Sequence, residues 1–554
     1  MPRLLLAFLL AALAAPAALA QRDGVLEIDD GLERFLLRQQ TAGHLRASAL
    51  DLRPVSAQTA QALLDSLAAD SVRLSRVDQA LLDRYRGVRP GPNVTRLFGE
   101  APLVYRDSEV LYREAGDGWA VEAEPLLYLS AGRTRRTARG GLDPTAPTWQ
   151  NTRGLRAAGH IGRHAFFETR VEENQRRPAL LDYDAAERTS PRIGNSKIQG
   201  GTTLDYWRVS GAVGYQDRFL DIRLGRDQNR WGPGRNSLVL SDFAPSYDQL
   251  QVRATVGRFA YTSLATRFTQ PIRPGPRDGV LPSRYGALHR LQIALPGGVD
   301  LGLSEMVMFA DDTTNGNRYG FEIAYLNPII FYRAVEADQG SPDNVLLAAD
   351  LAVRPVGGVR AYGQLVIDEL RISELGSDWW GNKYGWMVGA HLVDPGVPNL
   401  DLRVEYARLR PYLYSHRSRS SAFVHYADGL GHAAGPNATD VSGFLRYRPT
   451  DAIELAVDGA YTVRGRNTET ENFGGDPRES FDTRVSEYGI ETLQGVRQEI
   501  LLGEARIGYE ILPRLVVEAA LVAESTDDAE TGVNRAVSGY GQVRWGLPFR
   551  SQRW

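Results

Sequence analysis

A chain of 554 residues with a formal net charge of −3 lacks the clustered positive charge that phosphate binding calls for, which excludes a nucleic-acid partner. It contains no cysteine, so disulfides, thiolate metal sites and thiol chemistry are excluded together. Fifty-six glycines and twenty-four tyrosines accompany a negative mean hydropathy, which permits a β-barrel because barrel strands give half their residues to water.

Met1-Pro2-Arg3, an apolar run from Leu4 to Ala15, Pro16 and the small-residue close Ala18-Leu19-Ala20 have the order of a secretory signal peptide cut after Ala20, with the mature chain starting at Gln21. The run is short of the roughly 20 apolar residues of a spanning helix. No later charge-free stretch reaches that length, so membrane residence has to come from strands. Export without disulfides fits a Gram-negative envelope protein.

Leu32, Phe35 and Leu36 then stand at helical spacing, with Gly43 as a stop. Ser56 caps a second helix bearing Ala60, Leu63, Leu64 and Leu67, and Ser75 with Asp78 opens a third, bearing Leu81, Leu82 and Tyr85 and ended by Gly87. These predict a small helical bundle over residues 21–93, closed by the helix-breaking Arg89-Pro-Gly-Pro-Asn93.

From about Ala101 the hydrophobic period changes to two. Leu220, Ile222 and Leu224 alternate with Asp221, Arg223 and Gly225, and Val252, Ala254 and Val256 with Gln251, Arg253 and Thr255. The pattern recurs: Phe167, Thr169 and Val171 against Glu168, Arg170 and Glu172; Leu402, Val404 and Tyr406 against Arg403 and Glu405; Leu455 and Val457 against Glu454 and Asp458; Leu515, Val517 and Leu521 against Glu518 and Glu524. A dry sandwich does not bury so many charges, whereas a water-filled lumen with cross-strand ion pairs on its wall accommodates them. Residues 94–554 are therefore expected to form an all-β transmembrane barrel of roughly 14 to 20 strands. Connectors come as tight turns (Arg354 to Gly358, Arg448 to Asp451, Leu512 to Arg514) and long loops (Thr134 to Trp149, Leu409 to Ala438, Asn467 to Gln494), the sidedness of a barrel with long loops outside the cell. Terminal Trp554 is similar to a barrel insertion signal, with Pro548 close by.

Three regions are candidate binding sites. In the glycine-rich turn between Gly225 and Ser237, Trp231 offers a ring face for a sugar, with Arg230, Arg235 and Asp242 as hydrogen-bonding groups; the same residues also read as a purely structural turn shaped by Gly232, Pro233 and Gly234. Trp379, Trp380, Tyr384 and Trp386 form either a sugar platform or an interfacial aromatic girdle. In the loop from Leu409 to Ala438, Tyr412, Tyr414, His416, His425, Tyr426, Asp428 and His432 form a polar-aromatic group. Its histidines lack metal-binding spacing. Asp311 to Glu322 partly fits a calcium loop, but an Asn315-Gly316 hairpin explains it without an ion. Lumen carboxylates such as Glu405, Asp458 and Glu518 are too numerous for a glycosidase pair to stand out. No nucleophile elbow, Walker loop or dinucleotide fingerprint occurs, so neither an enzyme nor a cofactor is expected.

The blocks Arg230-Trp-Gly-Pro-Gly-Arg-Asn-Ser-Leu-Val-Leu-Ser241, Tyr325-Leu-Asn-Pro-Ile-Ile-Phe-Tyr-Arg333 with Glu336 and Gly340-Ser-Pro-Asp-Asn344, and Gly429-Leu-Gly-His-Ala-Ala-Gly-Pro-Asn437 resemble the capsule assembly Wzi family. The resemblance implies an 18-stranded outer-membrane barrel with its helical bundle at the periplasmic end. It also implies a lectin that binds capsular or exopolysaccharide and helps assemble the capsule at the cell surface. Outer-membrane lipid is the expected surrounding and the polysaccharide export machinery a candidate partner. An outer-membrane porin or substrate-specific channel stays open as the alternative.

Overall fold

A computed structural model describes residues 23–550 except 47, 70–71, 89–92, 95–96, 98–104, 106–108, 138–144, 179–188, 191, 201, 271–280, 311–321, 328–330 and 339–342. The predicted signal peptide and Trp554 lie outside the described residues. Eighteen antiparallel strands close a barrel. In chain order they are β1 (Trp119–Arg136), β2 (Thr145–Ile161), β3 (Ala165–Arg177), β4 (Thr203–Gln216), β5 (Leu220–Asp227), β6 (Tyr247–Val256), β7 (Phe259–Thr269), β8 (Ser283–Leu295), β9 (Val299–Ala310), β10 (Asn344–Val356), β11 (Val359–Glu369), β12 (Lys383–Val393), β13 (Leu400–Leu409), β14 (Ala438–Tyr447), β15 (Ile453–Arg466), β16 (Val496–Leu512), β17 (Leu515–Asp528) and β18 (Gly532–Trp545). Each strand pairs with its chain neighbour, and β18 closes on β1, from Trp545 opposite Leu127 to Ala536 opposite Arg136. A short hairpin strand, Tyr112–Gly116, extends the same edge of β1.

Alternation sets the two faces. Ile222 pairs with Val252 and Leu224 with Leu250 on the outside, while Arg223 pairs with Gln251 on the inside. Outward positions carry exposed apolar side chains around the wall, among them Trp207 (61% exposed), Leu224, Leu303, Leu347, Val404, Leu501 and Leu521. Such a belt suits hydrocarbon and is intolerable in water at this extent. Connections leaving even-numbered strands are short (257–258, 357–358, 513–514), and most of those leaving odd-numbered strands are long (178–202, 228–246, 410–437, 467–495). One expected loop is instead strand: β1 and β2 run on together until Arg135 faces Thr145, so Thr134 to Trp149 shrinks to a connection over 137–144.

The lumen departs from expectation. Inward-facing Leu264, Leu288, Met306, Leu346, Val366 and Met387 pack against Trp231, Leu238, Leu240, Leu413, Phe423 and Leu430 from the 228–246 and 410–437 connections, forming a dry core inside one half of the barrel. Both loops fold down into the lumen because their own apolar residues gain more by joining that wall than by facing water.

The helices α1 (Gly31–Ala42), α2 (Ala57–Ala69) and α3 (Arg76–Tyr85) fill the short-turn end. Gly43 adopts φ 94° at the end of α1, and the Ser75 hydroxyl accepts from the Asp78 N–H at 3.0 Å to start α3. The bundle does not hang as a separate unit: it is clamped to the wall at several points. Arg38 of α1 donates to Asp78 of α3 (3.0 Å) and to Asp394 (2.7 Å) and Asp401 (2.9 Å) at the barrel rim. Arg84 reaches Glu510 at 3.0 Å, Arg360 reaches Asp51 at 2.7 Å, and Arg514 reaches Asp30 at 2.7 Å.

Candidate functional site

The half of the lumen that the dry core leaves empty is a cavity of about 1470 Å³ on the long-loop side. Its floor is Glu27 to Asp29 of the N-terminal segment together with Pro548 to Arg550, where the chain turns back into the lumen after β18. The walls are inward positions of β3, β4 and β15 to β18, and the rim is the 467–479 stretch. Charge is balanced: nine arginines and nine carboxylates face it among the described residues. Only a few aromatic rings do so, chiefly Tyr206, Phe243 and Phe549. Many hydrogen-bonding groups and few ring faces suit a hydroxylated or anionic ligand better than an apolar one.

The lining arginines differ in how fully they are engaged. Arg550 is bidentate to Glu172 at 2.7 and 2.8 Å, Arg478 holds Asp476 at 2.7 Å, and Arg235 holds Asp458 at 2.5 Å while its guanidinium lies 4.6 Å from the Phe444 ring centre. Arg208, by contrast, donates to a carbonyl, Arg192 O, at 3.2 Å. Arg176 has no carboxylate partner among the described residues, and its Nε is buried without a hydrogen bond. These two inward side chains on β3 and β4 retain donors for a ligand.

Of the predicted site residues, the structure gathers Arg230, Arg235, Asp242, Tyr414, Asp428 and His432 at this cavity. Their roles differ from the expected ones. Arg230 is buried and donates to Asp29 at 2.8 Å, with Glu33 at 3.5 Å and Asp242 at 3.7 Å, so it joins the glycine-rich turn to the N-terminal segment. Burial pushes the Asp29 carboxyl up, but Arg230 more than offsets it and holds the group well below the usual carboxylate range. Asp428 accepts from the Arg192 N–H at 2.9 Å, and His432 Nδ1 accepts from the Ala434 N–H at 3.2 Å.

Trp231 is a correction: it is fully buried, paired with Leu52 in a two-residue ladder and lodged in the dry core, so no ring face is left for a sugar. The turn around it is structural. Gly232, at φ 117°, and Gly234 present carbonyls to Arg53 at 3.3 and 3.1 Å, and the N–H groups of Arg235 and Asn236 cap Glu405 at 2.6 and 3.0 Å. A Cβ on Gly234 would stand 2.5 Å from the Asn236 carbonyl oxygen.

Apart from Tyr414, which borders the cavity while donating its hydroxyl to the Leu238 carbonyl at 2.7 Å, the remaining aromatic candidates stand away from it. Trp380 is buried among loops, donating to Glu487 at 2.7 Å and packing on Phe481, while Trp379 carries Arg371 4.4 Å above its ring. Tyr384 and Trp386 occupy outward positions on β12, where Trp386 meets Tyr406. His425 is buried against Tyr247 and Phe268, accepts from the Thr269 N–H at 3.0 Å, and is pushed down to about 3 by burial. Tyr426, its neighbour, is not a lining residue. Glu405, Asp458 and Glu518 are all engaged, Glu518 by Arg544 (2.9 Å), Arg506 (3.1 Å) and Gln542 (2.6 Å). Of the calcium-like stretch, only Glu322 lies within the described residues, accepting from the Ala324 N–H. Arg176, Arg208 and Arg550 were missed by sequence reasoning, although Arg176 and Arg208 continue the inward registers of Glu168 to Glu172 and of Tyr206.

Among solved structures, the chain is similar to Wzi of Escherichia coli, described as an outer-membrane protein involved in group 1 capsule assembly and a carbohydrate-binding β-barrel, with TM-score 0.54, 13% identity and 95% of this chain and 100% of that chain covered. The two share the 18-stranded barrel fold. Pseudomonas aeruginosa OccK8 (OprE) matches at TM-score 0.41 and 9% identity over 77% of this chain and 98% of its own, and OccK1 (OpdK) at 0.41 and 10% over 76% and 98%. No protein-family model matches the chain, and no curated protein sequence matches it.

Proposed function

We propose that this protein, built on the Wzi barrel fold, resides in the Gram-negative outer membrane and binds surface polysaccharide in the cavity on its long-loop side, without turning it over. The observation that carries this reading is the cavity itself: about 1470 Å³, rimmed by long-loop residues, floored by residues 27–29 and 548–550 and lined mainly by charged and polar side chains. A polymer offers the same hydroxyls or uronate carboxylates many times over. Many weak contacts along it, and many copies of the protein, make the attachment firm without any one tight site. The sharing of fold with a carbohydrate-binding barrel supports the same reading. On this reading the bundle is periplasmic and the long loops are extracellular.

The test is genetic and then structural. Deleting the gene is expected to leave polysaccharide synthesised but shed into the medium, and re-expression of wild type to restore attachment. Re-expression of a stable Arg176→Ala/Arg208→Ala variant is expected to restore attachment poorly. Polysaccharide retained on cells lacking the protein contradicts the reading, and release of new reducing ends from the polymer by purified protein contradicts its non-catalytic part.

A further inference from the structure

The described part of the connection between β9 and β10, residues 322–327 and 331–338, packs against the outside of the barrel wall. On β8 and β9, Leu288 and Met306 face the inner core, so His289 and Glu305, one residue out of step, face outward. Against them, on the outer wall, packs α4 (Tyr332–Asp338). Glu305 accepts from the N–H groups of Tyr332 at 2.9 Å and Arg333 at 2.8 Å and bonds His289 Nε2 at 2.9 Å. The Tyr332 ring stacks on His289 at 4.3 Å, and Tyr325 packs edge-on against Tyr332 and beside outward-facing Phe309.

Depth decides what this means. Glu305 lies six residues up β9 from Val299, about 20 Å along the strand at a rise of about 3.3 Å per residue. With a tilt of about 40°, that is about 15 Å of height, inside an apolar band about 25 Å tall. A carboxylate and an imidazole facing hydrocarbon there are costly unless enclosed by protein, and the stretch around α4 encloses them. Its outer surface carries large apolar side chains, Phe331 75% exposed and Leu326 42%, beside Arg333, which is exposed but donates to the buried Glu336 at 2.6 Å and whose long stem lets the guanidinium reach towards the polar edge of the band. The surface is continuous with the belt, since Leu347, which pairs with Glu305, and Leu303 are both exposed beside it.

We infer that the described parts of residues 322–338 form a flap lodged in the membrane, with Leu326 and Phe331 in contact with lipid acyl chains. The flap is a lipid-facing surface and takes no part in the cavity. It rests on the membrane placement of the barrel, so the test separates the two.

The chain is free of cysteine, so single cysteines label cleanly. Phe331→Cys, Leu326→Cys, Leu347→Cys on the belt and Arg417→Cys on an exposed loop position are nitroxide-labelled in the full mature chain reconstituted in dioleoylphosphatidylcholine vesicles. Collision with oxygen, which concentrates in lipid, is compared with collision with a water-soluble nickel chelate. Labels at 331 and 326 are expected to match 347, oxygen-rich and nickel-poor, several-fold apart from 417. Labels at both flap positions that match 417, or that are shielded from both reagents as under a protein partner, overturn the flap while 347 keeps the barrel in lipid. A nickel-accessible 347 removes the membrane placement and the inference with it.

Discussion

The Arg230 guanidinium, at the start of the glycine-rich turn, reaches the Asp29 carboxylate of the N-terminal segment at 2.8 Å, across 201 residues of sequence. This pair fixes the turn to the entrance of the helical bundle and forms part of the cavity floor and wall at once. Arg230 is buried but the Asp29 side chain is 34% exposed, so removing one partner leaves a charge that water reaches in part, and the cost falls below the roughly 3–5 kcal/mol of a fully buried pair. Arg230→Ala is therefore expected to lower the urea midpoint of the detergent-solubilised protein markedly, and Asp29→Asn less, because the arginine keeps Glu33 and Asp242 near it.

Trp231→Ala is expected to behave as a core deletion, costing about 3–5 kcal/mol, because the ring is enclosed by the plug and wall rather than by the cavity. Once folded, the variant should bind polysaccharide as wild type does. Loss of binding with unchanged stability contradicts that placement.

His425 makes stability depend on pH. Its Nδ1 accepts a backbone N–H and burial holds its pKa near 3, so below about 6.5 the unfolded chain takes up a proton that the folded chain refuses. Stability therefore falls as pH drops from about 6.5 towards 3, by up to about 1.4 kcal/mol per unit for this group. His425→Gln should flatten the urea-midpoint profile across that window relative to wild type. Asp29, whose pKa is depressed, loses its contribution only at still lower pH.

Conductance follows from the filled lumen. With the dry core in one half and the bundle across the short-turn end, purified protein in planar bilayers is expected to give no large, stable open-channel current. A steady current like that of a wide porin contradicts the packed interior.

How much of this was legible from sequence varied with how local the cause is. The strand alternation of Leu220 to Gly225 and the caps at Ser56 and Ser75 are local, and they read correctly. The strand ends between Thr134 and Trp149 read as loop because the apolar alternation stops there, where Arg135 pairs with Thr145 and Thr134 with Ala146. Trp231 was invisible as core because what buries it, Met387 and Leu430 among others, comes from distant parts of the chain. The inward polar residues read as the wall of a wet channel, since alternation shows which way a side chain faces but not what the loops put against it. Arg176 and Arg208 sat on recognised registers, yet nothing in the sequence sets them apart from the arginines that found carboxylates.

The most direct measurement is equilibrium binding of purified surface-polysaccharide fragments from the producing strain to three purified proteins: wild type, Arg176→Ala/Arg208→Ala, and Thr526→Trp, which narrows the cavity from β17. Charge-assisted hydrogen bonds contribute about 1.5–3 kcal/mol each, so the arginine variant should bind at least about tenfold more weakly with an unchanged urea midpoint, and the tryptophan variant should bind still less. Undiminished binding by both folded variants contradicts the cavity as the polysaccharide site.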